Sequence, residues 1–252
     1  MNSATVRNLL VRGMLAGLGA GVIALVVAYF LGEPNVDSAI GFEESHAHSH
    51  EHEVELVSRS LQSTAGLATG ILLYGVAFGG IAALAYCFAL GRVGRFGPRA
   101  TALLLSGAAL LAVYVVPFLK YPANPPAVGD PDTIGERTTL YFLMMVLSVL
   151  LAVAAVIAGK RLAPKLGTWY ATVAAVLGFA VVIGLAYAFL PTINEVPADF
   201  PATLLWRFRL SALAMQATLW GGFGLLFGEL AHRLLRPRPA AVSAGAAVPA
   251  PQ

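Results

Sequence analysis

Four of the chain's five histidines fall in one short run, Ser45-His46-Ala47-His48-Ser49-His50-Glu51-His52-Glu53, at alternate positions. In an extended backbone all four imidazoles project to one side, roughly 7 Å apart. In a helix, His46/His50 and His48/His52 become i,i+4 pairs, the spacing with which two histidines on one helix face chelate a metal. Imidazole nitrogen beside the carboxylates of Glu51 and Glu53 is a borderline donor set that suits Zn, Cu, Ni or Co. An open tract of this kind exchanges ions quickly rather than enclosing one. His46, His48, His50, His52, Glu51 and Glu53 are the predicted metal-capture residues. The competing reading is a solvated low-complexity loop whose histidines are incidental or respond to pH. The Irving–Williams order ranks copper, nickel and zinc above cobalt, so the tract alone does not choose the metal.

A second set of polar residues lies in two later connections. Pro117–Arg137, read as PFLKYPANPPAVGDPDTIGER, holds five prolines, two glycines and three acids. Proline fixes φ and lacks an N–H, so this segment is expected to end both neighbouring helices and to form a compact acidic loop. It supplies Lys120, Asn124, Asp130, Asp132 and Arg137 as vestibule candidates; the following connection adds Glu195, Asp199, Arg207 and Arg209. Arg207 and Arg209 flank a membrane-interface position beside Trp206. They either snorkel to headgroups or pair with Glu195, Asp199, Asp130 or Asp132, and pairing is the expectation.

These residues must be positioned by membrane helices. The chain has 252 residues, is 58% hydrophobic and only 12% charged, about half the charge of an ordinary soluble domain. Six stretches reach the roughly 20 apolar residues a spanning helix needs: about Leu9–Leu31, Ser63–Leu90, Ala100–Leu119, Thr138–Gly159, Thr168–Leu190 and Leu204–Leu230. The fold class is therefore all-α, a polytopic transmembrane bundle over residues 1–236 with a His-rich loop at 33–62. Residues 237–252 form a Pro/Ala-rich tail expected to be disordered. The first stretch is long for a leader and lacks an A-x-A-like site after it, so it reads as a retained span.

Eleven of the sixteen basic residues fall at the ends and connections of one side, which holds a single acid, Glu229. The other twelve acids fall on the opposite side. The positive-inside rule then places both termini in the cytoplasm and the His-rich loop outside. The charge is sorted by side rather than pooled on one face, which fits a lipid bilayer and gives no nucleic-acid footprint. The third stretch aligns with the fifth at a shift of 71 residues (Ala100-Thr101 with Ala171-Thr172, Gly107 with Gly178), so the six stretches are readable as three hairpins. Gly13, Gly17 and Gly21, and Gly75 and Gly79, are small-residue stripes for close helix packing.

Inside the membrane the polar inventory is thin. Gln216 is the exception, because a buried amide in hydrocarbon needs a partner or lines a path; Tyr74 and Met215 join it as path candidates, with Tyr114 as another possible partner. No acid or histidine sits in mid-helix, which argues against a carboxylate proton relay or a haem ligand there. No P-loop, G-x-S-x-G or H-E-x-x-H motif occurs, and the chain reads as a non-enzyme. One cysteine, Cys87, excludes an intrachain disulfide. Glu229 and His232 form an i,i+3 pair, readable as exit ligands or as a surface contact.

The runs LKYPANPPAVGDPDTIGERT and NEVPADFPATLLWRFRLSAL resemble the CbtA family of probable cobalt transporter subunits, with the likeness extending over about Arg7–Arg233. The resemblance implies a bacterial inner-membrane protein associated with cobalt supply for cobalamin. It also implies a small partner of the CbtB type, with one span and a His-rich end. The expected cargo is Co2+, with Ni2+ or Zn2+ as alternatives, and no permanently bound cofactor. Two features depart from the family pattern: six apolar stretches instead of about five, and a His tract carried in this subunit's own loop. A non-conducting accessory or metal-binding assembly subunit of a membrane complex is the alternative function.

Overall fold

The computed structural model describes residues 2–46, 57–130 and 132–236, and these form helices and connections without a strand. Five helices are long and apolar enough to cross a membrane: α1 Ser3–Ser45, α2 Arg59–Ala89, α3 Pro98–Lys120, α4 Ile134–Phe189 and α5 Ala202–Leu235. The predicted tail, 237–252, lies outside the described residues.

The 56 residues of α4 would extend about 84 Å as one rod, far beyond a bilayer core of roughly 30 Å. Gly167 resolves this. Its φ of 77° and ψ of 157° belong to a region open essentially to glycine alone, and it divides α4 into two arms. The arms fold back on each other: Leu140 and Met144 of the first pack with Ile183 of the second, and Gly159 faces Ala175. Two of the apolar stretches read from sequence thus lie within α4, one in each arm.

α1 packs along α2 with almost no side chain between them. A Cβ on Gly13 would lie 2.5 Å from the Gly79 carbonyl oxygen, and one on Gly75 would lie 2.6 Å from that of Gly17. The glycine stripes therefore join these two helices, as their spacing predicts. α5 closes the core through an aromatic ladder: Phe78 of α2 meets Trp220 at 4.4 Å and Phe223 at 5.0 Å, and Tyr86 meets Phe227 at 5.0 Å, all edge-to-face. The Ser106 hydroxyl donates to the Trp220 carbonyl, tying α3 to α5.

Three π turns interrupt the helices, at Ala28–Gly32, Gln62–Gly66 and Leu110–Val115. Two of them lie just ahead of a proline, Pro34 and Pro117. A proline removes one N–H and crowds the carbonyl four residues back, whereas a π turn widens the hydrogen-bonded ring and gives that carbonyl room. This corrects two boundaries. The first stretch does not end at Leu31, because the helix runs on through Pro34 to His46; nor does Pro117 end α3, which continues to Lys120. Carbonyls in and beside these turns find side-chain donors: Asn35 Nδ2 donates to Leu31 O at 2.7 Å, and the hydroxyls of Ser148 and Tyr187 donate to the carbonyls of Ala112 and Val116.

The last of those bonds belongs to a series. Val116 with Tyr187, Tyr121 with Pro191, and Asn124 with Glu195 are all separated by 70 or 71 residues. A constant offset means that the end of α3 and the second arm of α4 run parallel. It is the same shift at which these stretches align in sequence.

Candidate functional site

The acidic end of the bundle is built from three connections. The first is the helical segment Glu33–His46, which continues α1. Its buried Ala39 packs with Val128 and Phe200 from the other two connections, and the Phe42 ring meets Phe200 at 5.0 Å, edge-to-face. Arg59, where the chain returns to α2, pairs with Glu33 and donates to Asp37 Oδ1 from Nε at 3.0 Å and Nη2 at 2.9 Å.

Glu195 is the hub of the second and third connections. Its side chain is only 4% exposed; Oε2 accepts from Arg137 Nη1 at 3.0 Å and from Asn124 Nδ2 at 3.4 Å, and Oε1 accepts from the Thr133 hydroxyl at 2.5 Å. Arg137 Nη2 also donates to Pro122 O at 2.9 Å. Arg209 does not reach a carboxylate. It donates to Ala123 O at 3.2 Å and to Asn124 Oδ1 at 3.0 Å, so Asn124 bridges it to Glu195. Glu195's oxygens are already occupied by Arg137, Thr133 and Asn124, which leaves Arg209 at one remove. Arg207 is exposed and forms no ion pair with a described residue, and Asp199 is exposed on the third connection.

Lys120 Nζ donates to Tyr187 O at 2.8 Å, near the C-terminus of the second arm of α4, where a cation meets the helix's exposed carbonyls. Asp130 Oδ1 accepts the Asp132 amide at 2.9 Å, an Asx turn, while Asp132 itself is exposed. Burial, with a contribution from Glu136, pushes the Tyr121 phenol up. Beside this network lies a polar recess of about 670 Å³, lined in part by Asp130, Thr133, Glu136, Asn194 and Glu195. Among the described residues no three His, Cys, Asp or Glu side chains come together as a metal-holding group. His46 is the last residue of the helical segment Glu33–His46. His48, His50, His52, Glu51 and Glu53 lie outside the described residues.

The opposite end carries most of the basic residues. Glu229 is held by Arg99 Nε at 2.8 Å and Arg233 Nε at 2.7 Å, and His232 Nε2 accepts from Arg236 at 2.9 Å. Arg12 Nη1 donates to Leu230 O at 2.8 Å, and Lys160 donates to Arg92 O. Glu229 and His232 are thus each engaged by arginine.

Between the two ends, the three path candidates line one pocket. Tyr74, Met215 and Gln216 border a cavity of about 270 Å³ with Gly70, Ile71 and Leu219. Gln216 Oε1 is buried without a hydrogen-bond partner among the described residues, as is Trp220 Nε1 one turn further along α5. Tyr114 instead stacks on Phe118 at 5.4 Å.

Sequence reasoning missed Thr133 as a ligand of Glu195 and missed the Ala39–Phe42–Phe200 seam. The signal for the seam was present, since Val36, Ala39 and Phe42 recur every three residues along a helix that also carries Glu33, Asp37, Glu43 and Glu44.

Long apolar helices, glycine-mediated contact and charge sorted to opposite ends define a multi-pass helical membrane protein. A family model described as "Probable cobalt transporter subunit (CbtA)" matches residues 6–232, and the chain belongs to that family. No curated protein and no solved structure matches the chain. As a transporter subunit it implies at least one partner subunit.

Proposed function

We propose that this chain is the multi-pass subunit of a transition-metal uptake system, with Co2+ as its cargo and Ni2+ or Zn2+ as competitors. It crosses the bacterial inner membrane six times, α4 supplying two crossings, with both termini in the cytoplasm. The His46–Glu53 tract gathers divalent cations on the outer side, and the acids of the three connections raise their local concentration. A small single-span, His-rich subunit of the CbtB type is the partner. No catalysis is assigned to the chain.

The observation that carries this reading is the construction of the acidic end. The helix Glu33–His46, about 20 Å long, leads into the His tract, and its Glu33 and Asp37 join the acids of the other two connections at that end. An alternative, a non-conducting accessory subunit, is favoured by one fact: no metal-holding cluster forms among the described residues.

Radiometal flux into vesicles separates the two. The full chain, alone and with its partner, is assayed with cobalt, nickel and zinc, with the four tract histidines intact or replaced by alanine. Loss of uptake at scarce metal on replacement supports capture; equal accumulation refutes it. Absence of flux with the partner present establishes the accessory role.

A further inference from the structure

We infer that the basic end of the bundle holds an acidic phospholipid at the seam between α2 and the first arm of α4. Its phosphate sits on the cations where α4 meets the α2–α3 connection, and its acyl chains lie along the apolar flanks beneath. The inference is independent of the cargo and of conduction.

Arg92 and Arg95 lie in the connection between α2 and α3, and Lys160, Arg161 and Lys165 lie on α4 just ahead of its break at Gly167. Lys160 donates to the Arg92 carbonyl oxygen, which brings the two groups together. All five residues are exposed, and none forms an ion pair with a described residue. The one acid in the sequence on this side, Glu229, is already held by Arg99 and Arg233. Five like charges gathered without a counterion from the chain make a strong local field for an anion.

The surface beneath those cations selects a lipid over a soluble anion. Arg92 Nη1 donates to Phe88 O at 2.9 Å, and its guanidinium carbon lies 5.0 Å from the centre of the Phe88 ring. Phe88 is 73% exposed, so this charge is held directly over open apolar surface. Ile81, Leu84 and Phe88 share one face of α2, and Val153 and Val156 lie seven and four residues before Lys160 on its face of α4; all five are exposed. Past Ser148, which donates to Ala112 O, the next hydrogen bond from this arm to the rest of the bundle is that of Lys160, about 18 Å further on. Between those two fastenings, both helices leave aliphatic side chains open. A seam with apolar flanks and a cationic lip matches an amphiphile with an anionic head, the pattern by which basic sites between membrane helices take acidic lipids. A free phosphate would satisfy the lip alone.

The test titrates delipidated full-length chain in a neutral detergent with phosphatidylglycerol or phosphatidylcholine and reads the bound lipid by native mass spectrometry. A cation near an anionic headgroup is worth about fivefold in affinity, so several together should favour phosphatidylglycerol by at least about tenfold. Arg92→Gln with Lys160→Gln should bring that preference below about threefold. Arg7→Gln with Arg236→Gln removes the same charge elsewhere on the basic side and should leave the preference within about twofold of the parent chain. Should the first pair fail to fold, Arg95→Gln with Arg161→Gln repeats the measurement at side chains that make no hydrogen bond to a described residue. Equal binding of the two lipids overturns the site, as does a preference that survives the substitutions at the seam. An equal fall in the Arg7/Arg236 variant assigns the effect to net charge and overturns it too. Inorganic phosphate that displaces phosphatidylglycerol at equal concentration overturns the lipid, because the apolar flanks would then contribute nothing.

Discussion

Removing either partner of the Arg137–Glu195 pair should unlock the acidic end. Glu195 is almost fully buried and accepts three hydrogen bonds, whereas the Arg137 side chain is 24% exposed and keeps a second bond to Pro122 O. Breaking a fully buried pair by truncating one member costs roughly 3–5 kcal/mol, and the partial exposure of Arg137 brings Glu195→Ala to about 2–4 kcal/mol. Arg137→Ala should cost at least as much, because it strands the more deeply buried charge. The double variant should be less damaged than the sum of the singles, with an interaction energy of about 1–3 kcal/mol. Denaturant unfolding in micelles, followed by tryptophan fluorescence, supplies all four corners of the cycle. Strict additivity would refute the reasoning, since it would mean the two side chains do not share an interaction in solution.

Other expectations rest on separate contacts. Gly17→Leu should prevent the α1–α2 pair from closing and abolish recovery of folded protein, while Gly107→Ala, where an added Cβ meets nothing within 4 Å, should behave as wild type in the same size-exclusion assay. Gly167→Ala should lower stability by about 1–3 kcal/mol in the same unfolding measurement, because the φ and ψ there suit only glycine. Ser148→Ala should cost about 1 kcal/mol through loss of the hydroxyl donated to Ala112 O, read as a shift in the unfolding midpoint.

Much of this architecture is legible in the residues. Apolar run lengths locate the helices, and the four-residue glycine spacing of α1 and α2 anticipates their backbone contact, because both signals are local. The acidic end is legible only as an inventory. That Glu195 takes Arg137 while Arg209 takes Asn124 depends on how three connections meet, and nothing in their spacing ranks those pairings. The helical course of Glu33–His46 was hidden for a different reason. Pro34 argues for a stop, and only the π turn before it lets the helix continue. Gln216 stood out because an amide in hydrocarbon is conspicuous, yet the burial of its Oε1 without a partner among the described residues, and the cavity that the residue borders, belong to the folded packing alone.

The contact between α1 and α2 has a mechanical consequence. Glycine carbonyls seated against opposing glycines leave no clearance for sliding or rolling, so those two helices move as one body. α4 is attached differently, packing chiefly on the π turn and final turn of α3. If the subunit alternates between shapes as it works, the stiff half is the glycine-locked pair, and the displacement falls to the two-armed hairpin hinged against it.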